Sequence, residues 1–428
     1  MAEKKNIPKL RFREFYGNWN DEPMGNSYSF KVTNSFSRDN LSDSDSDGEV
    51  KNIHYGDIHK KFPTLLDITR EAIPFIKPDV SIERISKENY CIEGDMIFAD
   101  ASEDINDVGK AIEIINTNKE KLLSGLHTIL ARPDLQKLTI GFGGYLFKSE
   151  FVRTQIQKES QGTKVLSISA TRLSKISLKF PSDEKEQTKI ASFFSAIDEK
   201  ILALKKKKEL LEEYKKGVAQ KLFSQEIRFK DENGKNYPDW EEKYLGGLFE
   251  RVITKNKENN LNVLTISAQK GLLNQKEYFN KSVSAKDLTG YYLIEENDFA
   301  YNKSYSKGYP LGATKRLKKY PKGVVSTLYI CFRMNTNNNI SFYEQYFDSG
   351  FLDEGLSKIA QEGARNHGLL NVSVVEFFRD IVLPKPHISE QTKIANFLSA
   401  IDEKIAFADK KLKDSEKWKK GLLQKMFC

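Results

Sequence analysis

Cysteine is scarce. The three residues Cys91, Cys331 and Cys428 lie far apart, with no CxxC pair. That argues against a disulfide framework or a cysteine zinc site and points to a reduced compartment. No run of about 18 apolar residues occurs, so no membrane-spanning helix is expected. The start, MAEKKNIPKL, is charged and lacks the apolar stretch of a secretion signal, which leads to the expectation of a cytoplasmic protein. Catalytic signatures are missing as well. There is no GxxxxGK[ST] phosphate loop, no NPPY-like aminomethyltransferase motif, and no HExxH among five histidines. IGFGGYLF (140–147) is rich in glycine but lacks the GxGxxG frame. PDWEEK (238–243) holds the residue types of a metal-dependent nuclease site, but a nuclease centre needs those groups on separate strands and here they are consecutive. In LSDSDSDGEV, Asp43, Asp45, Asp47 and Gly48 fit positions 1, 3, 5 and 6 of an EF-hand loop, yet position 12 is His54 instead of a bidentate glutamate. A solvated acidic turn ahead of the strand VKNIHYGDI is the reading. No metal ligand is assigned, and no catalytic residue.

What is present is length, charge and repetition. A chain of 428 residues is too long for one ordinary core and implies two or more domains. Hydrophobic content of 39% with 30% charged residues reads as globular, and the net charge of +8 permits a nucleic-acid partner without requiring one. EQTKIASFFSAIDEKI (186–201) returns as EQTKIANFLSAIDEKI (390–405). The offset of 204 residues holds from Glu186/Glu390 to Phe223/Phe427, with 23 identities over 38 positions, and reaches back to Leu166/Leu370 and Ser169/Ser373. Fainter echoes join LRFREFYGNW to IRFKDENGKNYPDW, and CIEGDMIFADAS (91–102) to LIEENDFAYNKS (293–304). The chain is therefore two half-proteins in tandem, each a globular part followed by a long helix. The helices meet the same constraint twice, while the globular parts do different jobs.

The helices carry apolar stripes at 3–4 spacing. The first holds Ile190, Phe194, Ile197 and Ile201 and is interrupted by Lys208 and Lys215; the second holds Ile394, Leu398, Ile401 and Ile405, with Ser415 and Lys419 as interruptions. Without internal proline, 38 residues span roughly 57 Å. Such a helix can pack on its own domain. Duplication adds a second arrangement, in which the two helices pack side by side and antiparallel, holding the globular parts apart. Phe193, Tyr214, Phe407 and Trp418 fall beside the stripe and form an apolar edge for a partner's helices.

Tandem variable domains, each followed by a segment such as EQTKIASFFSAIDEKI and then YKKGVAQKLF, resemble the specificity subunit of type I restriction–modification enzymes. GDMIFADASEDINDVGKAIEI and LLSGLHTILARP resemble stretches of the first target-recognition domain in that family. The resemblance covers essentially the whole chain. It implies a DNA-reading scaffold without a catalytic centre that docks two modification (methyltransferase) subunits, joined by motor–nuclease restriction subunits. S-adenosylmethionine, ATP and magnesium would sit on those partners. The expected fold is α/β (α+β): target-recognition domains at 1–185 and 225–388 and conserved helices at 186–224 and 389–428, packed as an antiparallel coiled coil with pseudo-twofold symmetry. The alternative is a stand-alone metal-dependent nuclease or a structural coiled-coil protein.

Direct readout uses Arg or Lys against guanine, Asn or Gln against adenine, and Ser or Thr against either, while Lys and Arg also neutralise phosphates. Polar, glycine-containing segments supply that chemistry. In the first half these are Ser37 and Arg38, Lys60 and Lys61, and Lys158, Gln161, Thr163 and Lys164 of KESQGTK. In the second half they are Asn302, Lys303, Tyr305 and Lys307; Lys315, Arg316 and Lys318; and Arg365, Asn366 and His367 of EGARNHG. KESQGTK and EGARNHG occupy equivalent places, each just before the repeated Leu-x-x-Ser. The run around Arg316 is expected to face phosphates instead of bases.

Overall fold

The computed structural model describes residues 6–44, 48–279, 287–305, 308–361 and 370–428. Lys307, Arg365, Asn366 and His367 lie outside those residues, as do Asp45 and Asp47. Two compact units divide the chain, 1–205 with 410–428 and 206–409. Two long helices, Glu184–Phe223 and Ile388–Met426, contribute to both units.

In the first unit a five-stranded sheet runs in the order Tyr28–Lys31, Thr128–Pro133, Met96–Ala99, Ala111–Asn116, Leu65–Asp67; only the last pair is parallel. A four-stranded sheet, Lys121–Ser124, Val50–Ile53, Phe75–Ile76, Leu41–Ser42, lies beside it in sequence and space. In the second unit the main sheet is antiparallel throughout: Phe249–Arg251, Ile330–Met334, Phe299–Asn302, Ala313–Arg316. Met96–Ala99 is buried at every position, as a strand covered on both faces must be. Both units close in the same way. The first strand pairs antiparallel with the strand that leads into the long helix: Asn20–Pro23 with Ser177–Phe180, and Glu241–Tyr244 with Val382–Lys385.

The repeated Glu-Gln explains itself at the helix starts. Glu186 is 1% exposed and accepts from Arg11 Nε and Nη2, both at 2.7 Å. Glu390 is fully buried and accepts from Arg228 Nε (3.0 Å), Arg228 Nη2 (2.8 Å) and Trp240 Nε1 (2.9 Å). Gln187 donates to the carbonyls of Lys137 and Pro181 and accepts from Thr139 N; Gln391 donates to Asn338 Oδ1 and the Pro386 carbonyl and accepts from Asn339 N. Each glutamine satisfies loop groups that would otherwise be buried unpaired.

The helix ends explain themselves too. Phe427 lies in the first unit's core against Phe142 (5.8 Å), Phe194 (6.0 Å) and Trp19 (6.2 Å). Phe223 lies in the second unit's core against Phe342, Tyr346 and Phe351, all within 5.6 Å. Each unit thus packs the start of one long helix beside the end of the other, in opposite directions. In the second unit Lys215 meets Asp402 at 2.6 Å and Lys208 meets Asp409 at 2.7 Å. In the first, Lys419 meets Asp198, and Lys205 meets Glu416 at 3.5 Å. The lysines that interrupt the apolar stripes are therefore ion-paired across the helices. Asp198–Lys419 and Lys215–Asp402 are the same pair under the 204-residue offset. Each carboxylate takes a second partner from the globular part, Tyr145 Oη at 3.0 Å or Gln345 Nε2 at 2.7 Å. A slip of one helix along the other would leave these ammonium groups unpaired, so the pairs set the register.

The stripe residues Ile190, Phe194, Ile197 and Ile201 are buried in the first unit's core, and Ile394, Leu398 and Ile401 in the second's, with Ile405 partly buried. Both arrangements inferred from the stripe hold together: the helices pack on the globular parts and on each other.

Candidate nucleic-acid interface

Both main sheets contain the same buried device. Gly94 takes φ +93° and Asn297 takes φ +78°, a left-handed turn that suits glycine and asparagine, and each is followed by a buried aspartate. Asp95 accepts from Ile92 N (2.9 Å) and from Arg132 Nε and Nη2 (2.9 and 2.8 Å). Asp298 accepts from Glu295 N (2.8 Å) and from Arg333 Nε and Nη2 (2.6 and 2.8 Å). Bidentate pairs of this kind fix geometry as well as charge. They also adjust the alignment of CIEGDMIFADAS with LIEENDFAYNKS by one residue, setting Asp95 against Asp298.

The strands that begin at these turns, Met96–Ala99 and Phe299–Asn302, end on the polar loops. Beyond the first, Ala101–Ser102 pairs antiparallel with Leu166–Ser167, and Ile168 N donates to the Asp100 carbonyl at 2.8 Å. Beyond the second, Leu370 N donates to the Lys303 carbonyl at 2.9 Å. Ile168, just after KESQGTK and Leu166–Ser167, and Leu370 are thus held at the same strand end in each unit. In the first, Gln161 and Ser167 exchange backbone hydrogen bonds at 2.9 and 2.7 Å, closing a small loop. Gly162 takes φ +128°, and a Cβ there would lie 1.9 Å from the Val165 carbonyl oxygen, so no other residue fits. Gln161, Thr163 and Lys164 are exposed on this loop, and Lys158 is exposed at the end of the helix Glu150–Glu159. Asp100, Gln161, Ser167, Ser169 and Arg172 line a polar depression of about 420 Å³.

In the second unit Asn302, Ser304 and Tyr305 join Ser267, Gln269 and Tyr278 around a polar hollow of about 290 Å³. Tyr305 is 63% exposed, and Lys303 lies between Asn302 and Ser304. Hydroxyls, amides and aromatic faces together have the chemistry of base-edge contact.

Other residues singled out by sequence are placed differently. Ser37 caps a short 3-10 helix, and Arg38 is tied to Asp57 (2.9 Å) and Asp43 (3.2 Å). Lys60 is exposed, and exposed Lys61 donates to the Ala72 carbonyl. Lys315 is paired with Asp348 at 2.6 Å and only 11% exposed. Arg316 donates to Asn297, Ser341 and Glu344, so its charge is neutralised inside the unit. Lys318 shares Glu344 at 3.1 Å but is 60% exposed.

Residues 48–213 match the family described as type I restriction modification DNA specificity domain. A provisionally named MjaX type I restriction enzyme specificity subunit of Methanocaldococcus jannaschii is 26% identical over 381 residues, spanning 84% of this chain and 82% of that one. The fold also matches the crystal structure of the S subunit of a type I restriction–modification system from M. genitalium, at 14% identity, 99% coverage of both chains and a TM-score of 0.54. A structure from work on complex assembly and conformational transition of the type I R-M system matches over 97% of this chain and 99% of its own, again at 14% identity and a TM-score of 0.54.

Residues 48–213 thus carry a type I restriction–modification DNA specificity domain.

The chain's role is DNA recognition, and it is the non-catalytic member of its system. The Asp95–Arg132 and Asp298–Arg333 frames are common to the two units, and the loops at the strand ends differ between them. Sequence reasoning missed both frames, although Gly94-Asp95 and Asn297-Asp298 are turn signals at equivalent places. It also missed Asp100, Ser267 and Gln269, which no periodicity or motif marks. The helix edge is partly open. Tyr214 is 55% exposed and Trp418 52%, and Phe193, half-buried, meets Trp418 edge-on at 6.1 Å. Among the described residues, no helix is long and apolar enough to cross a membrane.

Proposed function

We propose that residues 1–185 and 225–388 are two target-recognition domains, each reading one half of an asymmetric, bipartite duplex site. The helices at 186–224 and 389–428 recruit two modification subunits, to which restriction subunits are added. S-adenosylmethionine, ATP and magnesium belong to those partners, and the assembly works in the cytoplasm. One observation carries this reading: a repeated buried Asp–Arg frame delivers two chemically different polar loops from the same strand end. A repeated frame with divergent loops is what two readers of two sequences require.

The test is an exchange. Replacing residues 1–185 by the same region of a relative is expected to change one half of the methylated sequence and leave the other intact. Methylome sequencing reads both halves, and a folded hybrid with both halves altered would sink the idea of independent readers.

Single residues separate base reading from phosphate contact. Asn302→Ala is expected to weaken binding at one or two base pairs, by about 1–3 kcal/mol. Lys318→Ala should weaken all sequences alike and reduce the salt slope by about one. Binding isotherms at several salt concentrations, on cognate and non-cognate duplexes, measure both. Equal losses on the two duplexes for Asn302→Ala would remove it from the reading surface.

A further inference from the structure

Three of the chain's five histidines gather in the first unit around one tyrosine. Tyr55 lies 4.6 Å from His54, 6.2 Å from His59 and 5.3 Å from His127, between ring centroids. Two of the three are taken up locally. His54 caps the helix Tyr55–Lys60 by accepting from Gly56 N at 3.1 Å, and His59 Nε2 is 3.1 Å from the Ala101 carbonyl. His127 is placed differently. It sits in the turn between Lys121–Ser124 and Thr128–Pro133 with φ +56°, a left-handed conformation that a residue with a Cβ adopts at a cost. Glycine would hold this turn with less strain. The histidine that stands there has a side chain 51% exposed.

His127 is also attached to the reading loop of the proposed function, on which this inference rests. Its Nδ1 lies 3.3 Å from Asp100 Oδ1, a buried oxygen without another hydrogen-bond partner among the described residues, and its carbonyl accepts from Asp100 N at 3.1 Å. Asp100 is the residue at the strand end whose carbonyl holds Ile168, and it lines the depression with Gln161 and Arg172. An ionised carboxylate only accepts hydrogen bonds. In the tautomer that carries its proton on Nδ1, turned toward that carboxylate, Nε2 is an acceptor. In the major groove an acceptor meets the exocyclic amino group of cytosine or adenine.

We propose that His127, oriented by Asp100, is a base-reading residue of the first unit and accepts from an exocyclic amino group of its half-site. Tyr55 backs the ring, and Gln161 and Arg172 extend the same polar surface. A packing role would require neither the strained backbone nor the carboxylate.

The probe is a randomised duplex library, bound by the full chain purified with the modification subunits it carries and sequenced after selection. His127→Gly removes the side chain and suits the left-handed turn. It is expected to reduce the preference at one base pair of one half-site by about tenfold, leave the other half-site unchanged, and keep or raise the melting temperature. On the wild type, a duplex whose base at that position lacks the amino group (purine for adenine, 2-pyrimidinone for cytosine) should bind about tenfold more weakly; on His127→Gly it should bind no differently. Asp100→Asn should weaken the same position and no other. An unchanged preference profile for His127→Gly, or a uniform loss on all sequences, overturns the inference while leaving the two-domain reading in place. A wild type that enriches no sequence overturns both. A lower melting temperature with an unchanged profile assigns His127 to packing.

Discussion

Glu390→Ala is expected to destabilise the second unit by about 3–5 kcal/mol, the cost of orphaning one member of a buried ion pair. The carboxylate is fully buried and receives three donors, two from Arg228 and one from Trp240. Removing it leaves the Arg228 guanidinium, 21% exposed, with the Pro238 carbonyl and only the fully exposed Asp239 carboxylate, 3.6 Å away, and leaves the indole N–H unmatched. The equivalent Glu186→Ala should cost about 1 kcal/mol less, because Trp19 Nε1 is already without a hydrogen-bond partner among the described residues and nothing is lost there. Urea titration followed by tryptophan fluorescence measures both, with the transitions treated unit by unit because a chain of this size need not unfold in one step. A loss below about 1 kcal/mol for Glu390→Ala would show that Arg228–Glu390 does not hold the helix to its sheet.

These pairs also show what could be read from residues alone. Identical Glu-Gln in both copies announced a shared constraint, and the 204-residue offset made the helices and their apolar stripes legible. The partners of that constraint were not. Arg11 lies 175 residues from Glu186, and Asp198 lies 221 residues from Lys419. No local pattern reports a pairing at that distance. Lys208, Lys215 and Lys419 read as interruptions of a stripe because a sequence shows the charge and not the carboxylate opposite. Arg316 read as an exposed cation for the same reason. The reading loops were legible as polar, glycine-containing segments, but only the sheet shows that Gln161 and Asp100 share one depression. Asn302 and Tyr305, by contrast, lie close together in the sequence, and the fold brings Ser267 and Gln269 to them.

The glycine-rich IGFGGYLF, which matched no phosphate loop, turns out to serve a buried acid. Glu113 is 2% exposed, and its two oxygens accept from Gly141 N and Gly144 N, each at 2.6 Å. Gly141 takes φ +92°, and a Cβ on Gly143 would lie 2.8 Å from Tyr28 Oη, so the glycines let the backbone close over the carboxyl. Burial raises the Glu113 pKa to about 7, although the two backbone hydrogen bonds oppose the rise. In the unfolded chain it titrates near the ordinary value of 4.5. Between those values the folded state binds a proton that the unfolded state has released, so stability falls as pH rises, by about 1.4 kcal/mol per pH unit. The contribution is fully present below about pH 4.5 and is lost as the pH climbs through 7, an expected total of about 3 kcal/mol for the first unit. Glu113→Gln cannot ionise. Its stability relative to the wild type should therefore rise over that window and level off above it, which cancels every other titrating group. Urea midpoints of both proteins between pH 5 and 8 measure the difference. A difference that stayed constant across the window would mean that Glu113 is ionised in the folded protein throughout, held by the two glycine N–H groups against the cost of burial.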